Sequence, residues 1–155
     1  DILVEFSTEI QQLTERLGRE IKTSEIYDQL LTTYANEEGP YKLVDYDLLT
    51  GKTDEQRCIA KVEVSENVVT VDGEGGGPIE AFVNALVATL NEPLAVVDYH
   101  EHALGEGSDA QAICILAIDD GERGDRCYGI GVSRNTIRAS LNAIISAMNR
   151  RWAKV

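Results

Sequence analysis

Two stretches of the chain concentrate chemically capable residues. The first is VDGEGGGPIEAFVNALVATL, Val71 to Leu90, where Gly75, Gly76 and Gly77 run into Pro78 and then into a helical pattern. Glycines there permit positive φ and bare the backbone N–H groups of a turn. With the dipole of the following helix, those donors favour a small anion, a phosphate or a carboxylate. The same glycines equally suit a plain tight turn that lets strand and helix pack closely. Neither the dinucleotide GxGxxG nor the P-loop lysine pattern is present to select a nucleotide. The second stretch is VVDYHEHAL, Val96 to Leu104. In a regular strand His100 and His102 face one side, as two ligands of a divalent metal would. Glu101 points the other way and no third nitrogen or sulfur ligand is near, so no metal site is expected. Asp119 to Asp125 (DDGERGD) has the composition of a calcium loop but lacks its alternating ligands and terminal glutamate, and reads as a charged hairpin. Ser108, Ser133, Ser140 and Ser146 sit in no nucleophile motif, so no catalytic residue is expected.

Composition narrows the classes of function. The 155 residues make one domain, or one domain with an appendage, long enough to bury a core. A net charge of −13 argues against nucleic acid and against an anionic membrane, since both call for a basic surface. No apolar run approaches the roughly 20 residues of a membrane span, and no signal-peptide pattern opens the chain. Cys58, Cys114 and Cys127 are odd in number and lie in apolar strands. Buried reduced thiols are expected, as in a cytoplasmic protein. The chain opens on Asp1 without a methionine, as a piece of something longer would.

Periodicity defines the scaffold around both stretches. Residues 2–38 read as two short amphipathic helices, one carrying Ile10, Leu13 and Leu17, the other Ile26, Tyr27, Leu30, Leu31 and Tyr34, ending at Gly39-Pro40. They form a helical linker subdomain, 1–39, that must dock on something. From Tyr41 the period becomes two, with strands near 42–47, 57–64 and 67–71 separated by turns at Thr53-Asp54-Glu55 and Ser65-Glu66-Asn67. A helix comes after Pro78, a residue suited to the first helical position. It turns Ile79, Phe82, Val83, Leu86, Val87 and Leu90 to one face. The order then repeats, with strands at 94–104, 110–119 and 126–133. The last helix runs from about 135 to 151, with Ile137, Leu141, Ile144, Ile145, Met148 and Trp152 on one stripe. Val44-Asp45-Tyr46 recurs as Val97-Asp98-Tyr99 at an offset of 53. Asp54-Glu55-Gln56 recurs as Asp109-Ala110-Gln111 at 55, and Ala81-Phe82-Val83-Asn84-Ala85 as Ala139-Ser140-Leu141-Asn142-Ala143 at 58. Slowly growing offsets are what loop insertions in a duplicated unit produce. The expected fold is therefore α+β. Two βββα units, 40–92 and 93–155, are related by a pseudo-two-fold axis, with helices on one face of the sheets.

Taken together, GGGPIEAFVNAL, VVDYHEHALGEGSDAQA and YGIGVSRNTIRASLNAIISAMNR resemble the C-terminal regulatory domain of the 2-isopropylmalate synthases over about residues 40–151. Residues 2–38 resemble part of the helical linker to the catalytic barrel. The resemblance implies a homodimeric module that binds L-leucine near its dimer interface. Leucine then shuts down the condensation of acetyl-CoA with 2-oxoisovalerate by the barrel, which uses a divalent metal. No stretch here resembles the barrel, so this chain is expected to carry no catalysis and no cofactor of its own. The family's effector-contacting glycines fall on Gly75 and Gly77, with N–H groups there and at Ile79 or Glu80 meeting the leucine carboxylate. Matched positions for the isobutyl pocket are Ile79, Val96, Tyr99, Ala103, Ala110 and Val132, with Gly131 giving close approach. Val96 and Tyr99 have opposite strand parity, so they share a pocket only if the strand bulges or the pocket straddles an interface. Glu80 replaces a residue that is small in the family, and so bears on effector affinity or meets the amine. For the ammonium, Asp98, Asp109 and strand carbonyls are open candidates. Two other readings stand beside this one: the isoleucine-sensing domain of a citramalate synthase, and a ligand-free dimerisation module.

Overall fold

The computed structural model describes residues 39–104, 107, 110–120 and 126–153. The linker helices expected over 2–38, the Asp109 candidate and the hairpin tip at 121–125 lie outside the described residues. Two three-stranded antiparallel sheets are each followed by a helix. The first sheet, in the order β1-β2-β3, comprises β1 (Tyr41–Thr50), β2 (Gln56–Val64) and β3 (Asn67–Gly75), and leads into α1 (Pro78–Leu90). The second repeats it with β4 (Ala95–Leu104), β5 (Gln111–Asp119), β6 (Cys127–Ser133) and α2 (Thr136–Ala153). The α+β duplication expected from the sequence is the architecture observed.

The duplication extends to irregularities. β1 shifts register between Leu43 and Asp45, and β4 between Val96 and Asp98. In both, the Asp side chain after the shift accepts from the next backbone N–H, Tyr46 N to Asp45 Oδ1 at 2.8 Å and Tyr99 N to Asp98 Oδ1 at 3.0 Å. A bulge adds one residue to one strand and so reverses the facing of every later residue in it. Val96 and Tyr99 therefore lie on the same face of β4, paired with Ile118 and Leu116.

One core joins the two units. It contains Cys58, Ala60, Val62 and Val71 from the first sheet and Cys114, Leu116, Ile118 and Cys127 from the second. Between them lie Phe82 and Leu86 of α1 and Leu141, Ile144 and Met148 of α2. Four glycines, Gly73, Gly75, Gly129 and Gly131, let the helices approach this closely, Gly129 facing the α2 backbone at Ala143 and Ala147. A Cβ at Gly73 would meet the α1 backbone at Ala81 and Ala85; one at Gly75 would lie 2.6 Å from Ala81 N; one at Gly131 would lie 2.6 Å from Ala143 N. This revises the expectation that the glycines supply positive φ. Of the described glycines only Gly107 has it, and β3 runs straight on through Gly73-Glu74-Gly75.

α2 is 18 residues long and α1 is 13, and the difference breaks the symmetry. α1 stops at Asn91, which adopts the left-handed conformation and donates its N–H to Val87 O at 3.0 Å. α2 runs on and packs on β1 of the other unit. There the buried Asn149 side chain accepts from Tyr41 N and donates to Tyr41 O, both at 2.9 Å. α1 makes no comparable packing on β4. Trp152, expected on the inward stripe, is 56% exposed in the last turn, beyond the last core residue of α2, Met148. β5 is buried on both faces, since Ile113, Ile115 and Ala117 are as inaccessible as Cys114, Leu116 and Ile118. That explains its unbroken apolar run.

Candidate effector-binding site

The predicted site residues fall into two groups. Gly75, Gly77, Ile79 and Glu80 surround the start of α1; Val96, Tyr99, Ala103, Ala110, Gly131 and Val132 belong to the second sheet and its margin.

At the start of α1, Gly77 is the N-cap residue, with φ −161° and ψ 178°, an extended backbone open to any residue. No described residue lies within 4 Å of where its Cβ would be. It makes no side-chain cap hydrogen bond. The first N–H groups of a helix have no partner within the helix. In α2 the equivalent residue, 58 positions on, is Asn135, whose Oδ1 accepts from Ile137 N at 2.9 Å and Arg138 N at 3.1 Å. Their counterparts in α1 are the N–H groups of Ile79 and Glu80, and the residue that would cap them is a glycine. The unit that carries the glycine turn has thus given up the cap that its duplicate keeps. Next to it, Glu80 folds back and its Oε2 accepts from Gly76 N at 3.1 Å. A carboxylate already sits on this turn.

On the second sheet, the bulge sets Val96, Tyr99, Glu101 and Ala103 on the inner face of β4, the face toward α2. Tyr99 is 37% exposed and Val96 half-buried, whereas their counterparts in β1, Tyr46 and Leu43, are half-buried and buried; Ala103 is exposed, as is its counterpart Thr50. The phenol tip of Tyr99 is tucked in: Oη donates to Glu101 Oε2 at 2.6 Å and lies 3.2 Å from Ser140 Oγ. Burial, and secondarily the Glu101 contact, push its pKa up to about 12, so it stays a donor at neutral pH. Burial likewise pushes the neighbouring Cys114 thiol up to about 11. Ser140 stands where unit one has the fully buried Phe82, so a large side chain is missing beside Tyr99. In the other half, Tyr46 is covered by the Arg138 guanidinium, 5.1 Å from the ring centroid.

Gly131 shares that face, paired with Cys114, but under the helix, while Val132 and Ala110 stand apart from it. Gly131 is buried beneath α2, so its close approach is to a helix backbone. Val132 pairs with Ile113 on the outer face of the sheet. Ala110 precedes β5, its N–H donating to Gly107 O at 3.2 Å. Sequence reasoning passed over Glu101 and Ser140; the repeat, which aligns Ser140 with Phe82, held the signal for the second. His100 and His102 share the outer face, where His100 Nε2 is 3.1 Å from Asp98 Oδ1. Among the described residues no three His, Cys, Asp or Glu side chains converge on a point that could hold a metal. A surface hollow of about 280 Å³ beside the β1–β2 hairpin, lined in part by Leu49, Arg57 and Glu74, includes none of the predicted residues. Cys58, Cys114 and Cys127 are free thiols and buried, and no described helix is long and apolar enough to cross a membrane.

Comparison with known proteins agrees with this architecture. Residues 20–152 match the model of the LeuA allosteric (dimerisation) domain. The chain is 36% identical over 157 residues to the 2-isopropylmalate synthase of Brucella suis, covering 99% of this chain and 28% of that protein. It is 35% identical over 153 residues to that of Rhizobium johnstonii, covering 97% and 27%, and 32% identical over 151 residues to that of Ralstonia nicotianae, covering 97% and 26%. The chain thus spans little more than a quarter of the length of these curated relatives. With its duplicated βββα units and a family match over most of its length, this chain belongs to the LeuA allosteric (dimerisation) domain family, the regulatory module of 2-isopropylmalate synthases.

Proposed function

We propose that this chain is a homodimeric leucine sensor, cytoplasmic and without catalysis of its own. It would feed back on a barrel of the same polypeptide that condenses acetyl-CoA with 2-oxoisovalerate and holds the divalent metal. One observation carries the reading: the Ile79 and Glu80 N–H groups lack the side-chain cap that Asn135 gives their counterparts in α2. Uncapped donors at a helix N-terminus suit a carboxylate. The internal repeat supplies the rest of the pocket. Glu80 is the counterpart of Arg138, and Tyr99 that of Tyr46. The Arg138–Tyr46 contact closes one half of the domain. By the repeat, the start of α1 would look toward the inner face of β4 in the other half, where Ser140 stands in place of Phe82. Ile79, Val96, the Tyr99 ring and Ala103 offer apolar surface for an isobutyl group. Gly75 ends β3 against the start of α1, Gly131 holds β6 against α2, and Ala110 and Val132 would reach the ligand only from beside an interface between copies.

Titration with leucine, isoleucine and valine, read by calorimetry and by thermal unfolding, tests this. Leucine at a hundred times its dissociation constant should add about 2.7 kcal/mol and raise the melting point by several degrees. A response to isoleucine alone would transfer the assignment to the citramalate synthase branch. No response to any of the three would leave a dimerisation module. Dimerisation is a separate expectation, motivated by Val97 and Tyr99, both 37% exposed on the edge strand β4. Sedimentation at high concentration should give a two-chain mass, and a monomer throughout would remove it.

A further inference from the structure

An amino-acid effector brings an ammonium group as well as a carboxylate, and the structure discriminates among the acceptors. Asp98 pairs with Ala117 on the outer face, and its Oδ1 is engaged by Tyr99 N and by His100 Nε2. It turns away from the Tyr99 side chain. Glu80 is committed to the Gly76 N–H. Glu101 differs from both. It lies on the inner face two residues beyond Tyr99, opposite the buried Cys114. The Tyr99 hydroxyl, 2.6 Å from its Oε2, holds it in place. A carboxylate accepts at about four lone-pair positions, and Tyr99 fills one. The remaining capacity sits at the exposed edge of β4, on the face toward α2.

Resting on the leucine reading above, we propose that Glu101, oriented by Tyr99, receives the effector's ammonium group. It is the residue that makes the pocket select an amino acid over a simple branched carboxylic acid. A charge-assisted hydrogen bond of this kind is short and about twice as strong as a neutral one. Its removal should be felt in affinity and, more tellingly, in discrimination.

The experiment titrates the chain, and its Glu101→Gln, Asp98→Asn and Glu80→Ala variants, with L-leucine. Each is also titrated with 4-methylpentanoate, which has the same isobutyl group and carboxylate but no ammonium. Circular dichroism checks the fold. The wild-type chain should bind leucine well ahead of 4-methylpentanoate. Glu101→Gln should weaken leucine about 10- to 100-fold while leaving 4-methylpentanoate within about twofold, which erases the preference. Asp98→Asn should leave both within about twofold. Glu80→Ala, which keeps the backbone N–H, should bind leucine more tightly than wild type, because it frees the Gly76 donor and removes a like charge. Leucine binding by Glu101→Gln within twofold of wild type overturns the assignment while leaving the leucine reading intact. A loss in Glu80→Ala as large as that in Glu101→Gln gives the amine to Glu80, and also overturns it. No leucine binding by any form, wild type included, removes the functional reading and this inference together.

Discussion

Gly77→Asp should abolish the response to leucine in a domain that remains folded. The position tolerates the side chain: its backbone is extended at φ −161°, and a Cβ there meets no described residue within 4 Å. Aspartate is also a better N-cap residue than glycine, so α1 should gain a few tenths of a kcal/mol, about the Gly-to-Asp difference at such sites. What it removes is the open cap. Its carboxylate would take the Ile79 and Glu80 N–H groups much as the Asn135 side chain takes the equivalent pair in α2. It would also face the incoming carboxylate. Two like charges about 4 Å apart repel by on the order of 4 kcal/mol at an effective dielectric of 20. That is about a thousandfold in affinity. Gly77→Asn separates the two effects, since it supplies the cap without the charge and should weaken leucine less. Calorimetry on both variants is the measurement. If Gly77→Asp binds leucine within a few-fold of wild type, the glycine segment is only a turn and the carboxylate is bound elsewhere.

Gly131→Ala should do the opposite, damaging the fold rather than the site. Its Cα faces the first turns of α2, and a methyl group there would meet the Ala139 carbonyl and lie 2.6 Å from Ala143 N. These are backbone atoms and cannot rotate aside. α2 would have to lift from β6, and with it Leu141, Ile144 and Met148, all at most 2% exposed. Overpacking of a close-packed interior typically costs 1–3 kcal/mol, and a clash with backbone belongs at or above the top of that range. A loss of about 3 kcal/mol would lower the melting point by roughly 10 °C. Thermal unfolding without ligand checks it. A melting point within 2–3 °C of wild type, less than about 1 kcal/mol by the same scaling, would mean that helix and strand are not in close apposition at this point.

Together the two variants separate what the glycines do. Gly75, Gly77 and Gly131 look alike as letters, and resemblance assigns all three to effector contact. In the structure Gly75 and Gly131 lie against helix backbone, while no described residue approaches the Cβ position of Gly77. Thermal shift and leucine affinity should therefore move independently at Gly77 and Gly131.

Much of the architecture was readable in the sequence because it repeats. Offsets of 53, 55 and 58 mark the strand pair, the β2 and β5 starts, and the helices, and period-two and period-3.6 patterns identify element types without knowledge of neighbours. The acidic charge and the absence of metal or nucleophile motifs are likewise properties of the string. Parity was not readable. Whether Val96 and Tyr99 share a face depends on a single extra residue at Val97, and a bulge is a hydrogen-bonding event between two strands. That Glu101 shares a face with Tyr99 while Asp98 does not follows from plain alternation beyond the bulge, but which of those faces looks toward α2 needed the fold. The asymmetry of the site belongs to the tertiary structure as well. It arises because α2 outlasts α1 and reaches across to β1, where Asn149 grips Tyr41, and because Arg138 at the start of α2 covers Tyr46 whereas its counterpart Glu80 turns back to Gly76. α1 stops short of the equivalent reach. Local periodicity depends only on the residues themselves, but which of two similar surfaces is covered depends on where distant chain segments end.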